Sequence, residues 1–127
     1  MDAERVLVVG ETPSLGRSVA DLLESGDVGA HYVEDLENER PLGSLAHRYP
    51  VVVVASSGYF CAAARRWVRG ELPNVELVVV GSRDPVLLTA RGIHHFALPL
   101  LPPRLLTTVR SLLSLASSAG GVSSLPS

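Results

Sequence analysis

The sequence predicts an α/β protein built on one parallel sheet of five strands. Short runs of β-branched residues alternate with segments of helical periodicity, and three of the runs are almost continuously apolar. Strands that are apolar on both faces are typical of a parallel sheet with helices on both sides. The 127 residues of the chain are enough for one domain with a single core.

Four runs rich in β-branched residues predict strands, and a fifth, weaker run follows them. The predicted strands are residues 5–10, 29–33, 51–56, 76–82 and, least clearly, 93–98.

The clearest helices are predicted after the first and third strands. The first has Thr12 as a capping residue and Pro13 in its first turn, and it ends at Gly26. The alanine-rich segment 60–72 favours a second helix that closes near Gly70.

Three further helices complete the pattern. Residues 41–47 predict a weak one, and residues 84–92 predict another with Asp84 as its cap and Gly92 as its stop. Leucines at helical spacing after prolines 102 and 103 predict a strongly amphipathic last helix.

This alternation predicts how the chain is wound. A strand and its following helix take about 20 to 25 residues each, which is typical of right-handed crossovers in a doubly wound sheet. The length fits a three-layer αβα arrangement with the flavodoxin-like strand order 2-1-3-4-5. We therefore predict a domain over residues 1–115. Residues 116–127 are rich in serine and glycine, which is typical of a flexible tail or the start of a linker.

Composition excludes several classes of function. The net charge of −2 gives no general attraction to nucleic acid or to an anionic membrane. Cys61 is the only cysteine, so neither an internal disulfide nor a cysteine metal cluster is expected. No apolar stretch approaches a membrane-spanning length, and the start "MDAER" has no signal region, which indicates a cytoplasmic protein.

The stretch "VVGETPSLGRS" superficially suggests a phosphate-binding loop. Five residues separate Gly10 from Gly16, one more than the P-loop spacing, and Arg17 stands where lysine is needed. The dinucleotide motif G-x-G-x-x-G is also absent, although Glu34 and Asp35 lie about where a ribose-binding acid would. A strand, a turn and a helix explain the stretch without a nucleotide.

In their order and spacing, these elements resemble the receiver domain of bacterial response regulators. The resemblance runs to about Leu115 and rests on "RVLVVGETPSLGRSVADLLES", "YPVVVVASSG", "LVVVGSR" and "FALPLLPPRLLTTVRSLL". In the family, an acidic pair that binds metal follows the first strand, and a lysine-proline step follows the fifth. Here Gly10 and Glu11 occupy the acidic pair, and Leu98 replaces the lysine before Pro99.

The other two family positions are altered as well. The phosphoacceptor aspartate falls on Ser56, with Ala55 one register away, and neither residue can form an acyl phosphate. The switch serine or threonine falls on Gly81, although Ser82 adjoins it. The resemblance therefore implies a degenerate, atypical receiver, or pseudo-receiver, that is not an enzyme and holds neither metal nor cofactor.

Such a domain would act in two-component or phosphorelay signalling through a protein partner or its own output domain. In receivers the face of the fourth helix, fifth strand and fifth helix commonly forms dimers, so a homodimer is possible there. The leucine-rich segment 98–106 makes Leu98, Leu101 and Arg104 interface candidates, with core packing of the leucines as the alternative. Trp67, within a cluster of arginines, is a fourth candidate, and its alternative is likewise the core.

Other interpretations stay open at this point. A small flavodoxin-like ligand- or nucleotide-binding protein would use the crevice near Gly10, Ser56 and Gly81. Glu11 and Asp84 together would hold at most a weak cation. A regulator that binds DNA would need a further domain after the tail, because direct nucleic-acid binding by this domain is not expected.

Overall fold

The computed structural model describes residues 5–34, 48–71 and 75–124, and in them the chain is an α/β protein with one five-stranded parallel sheet. The strand order is β2-β1-β3-β4-β5. The strands are β1 (Val6–Gly10), β2 (Ala30–Glu34), β3 (Val51–Ala55), β4 (Glu76–Val80) and β5 (His94–Phe96). All five predicted strands and their predicted order are confirmed.

The strand register aligns the carboxyl ends of the three neighbouring strands β2, β1 and β3. Gly10, the last residue of β1, lies beside Glu34 of β2 and Ala55 of β3. On the other side, Ala55 lies beside Val80, the last residue of β4. The loops that follow these strands therefore meet at one edge, called here the carboxyl edge.

The first helix, α1 (Pro13–Ser25), has the predicted bounds. Thr12 is the N-cap residue, as predicted, but its hydroxyl makes no capping bond to the helix. It accepts the backbone N–H of Ser57 at 2.9 Å and so joins the loop after β3 to the start of α1.

The predicted second helix is divided into two short pieces. Helix α2 (Ala62–Arg66) passes into a π-helical segment, Trp67–Glu71, which is kinked at Gly70. Gly70 has a φ of 107°, a left-handed conformation that glycine adopts without the penalty of a Cβ.

The helix predicted over residues 84–92 is corrected to a single 3-10 turn, Pro85–Leu88. Asp84 does cap it, since its side chain accepts the N–H of Val86. The hydroxyl of Thr89 donates to the carbonyl of Val86 at 3.1 Å, and the Thr89 N–H bonds the same oxygen. The backbone bond from Thr89 reaches the carbonyl three residues earlier, which is the 3-10 pattern, whereas an α-helix would bond the carbonyl of Pro85.

The last helix, α3 (Pro102–Ser124), begins at Pro102 itself and extends beyond Leu115. Its backbone thus includes much of the segment predicted to be a tail, and the domain boundary at residue 115 stays a prediction. The weak helix predicted over 41–47 lies outside the described residues. No helix in the described part of the chain has the length and apolar character needed to cross a bilayer.

Buried side chains form two clusters, one on each side of the sheet, because successive strand residues point to opposite faces. On the long-helix face, strand residues such as Val8, Val53 and Val78 pack with residues of α1 and α3. On the short-segment face, residues such as Val9, Val54 and Val79 pack with the α2 region and, more loosely, with the 3-10 turn. Each strand of the sheet centre is therefore apolar on both sides, as the sequence predicted.

Candidate functional site at the carboxyl edge

The carboxyl edge brings the predicted site residues Gly10, Ser56 and Gly81 to the same end of the sheet. The N–H of Ser56 donates to the carbonyl of Val80 at 3.0 Å, and the N–H of Gly81 donates to that of Phe96 at 2.8 Å. These backbone bonds extend the sheet by one residue beyond β3 and β4. The candidate site is thus formed by the carboxyl ends of β1, β3 and β4, and the side chains around these ends decide what can bind there.

Gly10 is covered by the ring of Tyr32, which reaches over from the edge strand β2. A Cβ on Gly10 would lie 2.7 Å from the Tyr32 hydroxyl oxygen, and one on Gly16 would lie 2.8 Å from the ring carbon Cε1. The Gly16 Cβ would also lie 2.6 Å from the Cα of Gly10. Both glycines of "VVGETPSLGRS" therefore make room for close packing of α1, β1 and Tyr32, and no phosphate is needed to explain them.

Tyr32 is held in place by polar contacts at its tip. Its hydroxyl lies 3.0 Å from Oε2 of Glu34 and 3.1 Å from the carbonyl of Pro13. Arg17 approaches the same Glu34 oxygen at 2.9 Å. Burial and then the hydrogen bond to the Glu34 carboxylate raise the pKa of Tyr32, because both disfavour the phenolate.

Sequence reasoning missed Tyr32 altogether. The signal available in the sequence was the two glycines, Gly10 and Gly16, followed by a short predicted strand with one aromatic residue, Tyr32. That signal becomes specific only when strand register is known, because β2 and β1 pair so that Tyr32 lies beside Val8, two residues before Gly10.

The one acidic residue of the altered acidic pair, Glu11, is directed toward the start of α2. Its Oε2 accepts the backbone N–H of Cys61 at 2.9 Å. Its other oxygen, Oε1, is buried and has no hydrogen-bond partner in the described part of the chain. One carboxylate used in this way is a poor basis for a magnesium site, which needs several hard oxygen ligands.

Gly81 is covered by two leucines. It has a φ of 88°, and a Cβ there would meet the Ser56 carbonyl oxygen at 2.8 Å, Leu15 Cδ2 at 3.1 Å and Leu98 Cδ1 at 3.2 Å. Leu98, at the family's lysine position, therefore extends over the strand end that follows β4. Ser56 itself is 3% exposed.

Asp84 is a buried structural carboxylate that joins three segments. It is 3% exposed, and its Oδ2 accepts the N–H of Phe60 and Nε of Arg65, each at 2.9 Å. Its Oδ1 accepts the N–H of Val86 at 3.0 Å. Burial by itself raises the pKa of Asp84, but the two backbone N–H bonds and Arg65 outweigh burial and hold it below its ordinary value.

These contacts bear on the weak cation hypothesised for Glu11 and Asp84. Both Asp84 oxygens already have donors, while Glu11 bonds to Cys61. Within residues 5–34, 48–71 and 75–124, no three His, Cys, Asp or Glu side chains come together as a metal site would require.

The interface candidates fall into two groups. Leu98 and Leu101 are 46% and 55% exposed, and Arg104 is exposed beside them at the start of α3. Trp67 is 7% exposed and packs in the core of the short-segment face. Its assignment as an exposed anchor is therefore corrected: its large apolar ring is buried against the sheet.

Comparisons with known proteins add no family to this description. The chain matches no protein-family model, and no curated protein matches it.

Proposed function

We propose that the chain is a receiver-like signalling module that acts by protein-protein interaction and does not use a phosphorylation cycle. In this proposal the fold is a doubly wound, three-layer αβα domain of the flavodoxin-like, receiver-like type. It regulates an output domain or a separate protein partner in the bacterial cytoplasm. The strand order β2-β1-β3-β4-β5 and the apolar clusters on both sheet faces support this assignment.

One observation carries the proposal, namely the contacts at the carboxyl edge. Tyr32 fills the space beside Gly10, and Leu98 and Leu15 lie against Gly81. A phosphorylated receiver needs carboxylates and a cation at these positions, whereas this edge has an aromatic ring and aliphatic side chains. Signalling then depends on which conformation a partner binds more tightly.

The first test is a titration with magnesium and beryllofluoride, followed by NMR of the backbone amides. We expect no saturable shift at Glu11, Ser56 or Gly81, and sodium chloride at matched ionic strength serves as the control. A saturable shift at these three amides that depends on both reagents would contradict the loss of phosphoryl chemistry.

The second test concerns the surface made by Leu98, Leu101 and Arg104, next to the edge strand β5. We propose that a second copy of the chain binds there, with β5 and α3 at the contact. Sedimentation at increasing concentration should reveal a dimer, and Leu101→Asp should weaken it by about tenfold or more. Tyr59→Asp is the matched control, because Tyr59 is 66% exposed and lies in the loop after β3, outside this face. A chain that stays monomeric, or a dimer weakened equally by both variants, would exclude this interface.

A second candidate function is favoured by the Oε1 atom of Glu11, which is buried without a partner in the described residues. A buried acceptor of this kind gains stability when a ligand supplies a donor. The alternative is therefore a small ligand- or nucleotide-binding protein that uses the crevice at the carboxyl edge. Flavin mononucleotide or ATP should then raise the melting temperature, and Glu11→Gln should abolish that rise.

A further inference from the structure

The structure contains a cavity of about 440 Å³ on the short-segment face, away from the carboxyl edge. Its walls come from the π-helical segment, the residues of and after the 3-10 turn, Leu77 near the start of β4, and Val75 and Ile93, which precede β4 and β5. Apolar side chains supply much of the lining, among them Trp67, Val68, Leu77, Val86 and Ile93. The volume lies within the range of small-molecule sites, which are mostly apolar with a few polar groups.

The cavity follows from the way this face is covered. A full helix over residues 84–92 would lie across β4 and β5, but the chain makes only the four-residue turn Pro85–Leu88. Gly70 and Gly92, both at positive φ, line the cavity, and a Cβ on either would meet nothing within 4 Å. Open space therefore remains beside side chains that are otherwise core residues.

Two arginines give the cavity its charge. Arg69 and Arg91 both line it, and both are exposed to solvent. Neither guanidinium pairs with an acidic side chain in the part of the chain that the structure describes. A ligand that buries an apolar body among the core side chains and carries one negative charge would satisfy both features.

We propose that this cavity is a binding site for a small organic anion with an apolar body, of the medium-chain carboxylate type. Arg69 and Arg91 contact the carboxylate, and Trp67 contacts the apolar body. The residues that line the site lie at the amino-terminal ends of β4 and β5, opposite the carboxyl edge. The inference is therefore independent of the proposed function.

The test uses the chain's single tryptophan, because Trp67 lines the cavity and its fluorescence reports occupancy directly. Octanoate is the probe, and 1-octanol is the neutral molecule of the same chain length. We expect octanoate to change the Trp67 emission saturably and to raise the melting temperature, with octanol binding more weakly.

Matched variants separate the charge from the apolar cavity. The double variant Arg69→Gln/Arg91→Gln should weaken octanoate binding by roughly tenfold and leave octanol binding unchanged, since exposed ion pairs contribute modestly. Arg110→Gln, which changes an exposed arginine of α3 that is not part of this cavity, should change neither. Ala90→Leu, which adds volume to the lining, should weaken both ligands.

Two results would overturn the proposal. One is the absence of any saturable change in Trp67 emission with octanoate in the folded wild-type chain. The other is equal binding of octanoate by the wild type and by the double arginine variant, because the arginines would then have no part in recognition.

Discussion

The two faces of the sheet are covered by helical segments of different length, and the difference predicts how much stability each face loses on mutation. The long-helix face packs against α1, of 13 residues, and α3, of 23 residues. The short-segment face packs against the five-residue α2, the π-helical segment and the 3-10 turn. The short segments leave the cavity of about 440 Å³ beside Trp67. On the long-helix face a cavity of about 590 Å³ lies at the margin, where the end of α1 meets α3 beside Gly26 and Arg110. We expect mutations on the two faces to differ accordingly.

The largest effect is expected from a leucine truncation on the long-helix face. Leu105 is fully buried between α3 and the sheet, so Leu105→Ala should lower the free energy of unfolding by about 3 kcal/mol. Leu87, on the short-segment face, is only partly buried, and Leu87→Ala should lower it by about 1 kcal/mol. Urea denaturation of the two variants measures the difference. Equal losses of unfolding free energy would mean that the long helices and the short segments pack equally tightly on the sheet.

A substitution at Asp84 tests whether the segments on the short-segment face are held together by polar contacts and not by helix packing. Asp84→Asn puts an NH2 group opposite the N–H of Phe60 or Nε of Arg65, so unfolding should become easier by about 2 kcal/mol at pH 7. Asp21→Asn, on the exposed side of α1, should change stability by less than about 0.5 kcal/mol. Denaturation curves in urea for both variants give the comparison.

The same carboxylate predicts a pH dependence. The pKa of Asp84 is lowered in the folded chain, so near the ordinary carboxyl range the unfolded chain binds more protons than the folded chain. The Asp84 contribution is therefore fully present at neutral pH and is lost as the pH falls below about 4 and through the folded pKa. Asp84→Asn should reduce the acid sensitivity of the melting temperature. An unchanged acid profile would show that other groups control it.

These two regions also show how far sequence could lead. Runs such as "VVVVAS" identify strands buried on both faces, because consecutive apolar residues point to opposite sides of the sheet. The strand order was predicted because the flavodoxin-like order fits the chain length and right-handed crossovers leave few alternatives. The 3-10 turn was not predicted, since the pattern of residues 84–92 fits a longer helix equally well. Asp84 was expected as a cap, but its bonds to Phe60 and Arg65 depend on tertiary contact. Trp67 fitted both exposed and buried interpretations until its helix face was known.

The candidate site was predictable only in its positions. The resemblance placed Gly10, Ser56, Gly81 and Leu98, and three of these are strand-end residues whose place follows from the strand assignments. The contact that fills the space beside Gly10 comes from Tyr32, on a different strand. Sequence spacing carries no information on such a contact, because it depends on the register between β1 and β2.

Glycine substitutions probe how closely the long-helix face is packed. Gly16→Ala places a methyl group 2.6 Å from the Gly10 Cα, a backbone atom that cannot move away alone. The strain should exceed the gain in helix propensity of about 1 kcal/mol, for a net loss near ~1.5 kcal/mol. Gly58→Ala is the control, because a Cβ there meets nothing within 4 Å. If both variants unfold at the same urea concentration, α1 is not in close contact with β1.

The smallest effect is expected for the pKa of Tyr32, which lies on the long-helix face and fills the space beside Gly10. Burial and then the Glu34 carboxylate raise the Tyr32 pKa, while Arg17 lowers it, so Glu34→Gln should lower the Tyr32 pKa. The folded chain holds this proton more tightly than the unfolded chain. Stability is therefore retained below the ordinary tyrosine pKa of about 10 and falls as the pH rises through the folded pKa. NMR titration of the Tyr32 ring in the wild type and in Glu34→Gln measures the shift. A Tyr32 pKa that does not move in the variant would leave burial as the only cause, and the ring would then be held over Gly10 by packing alone.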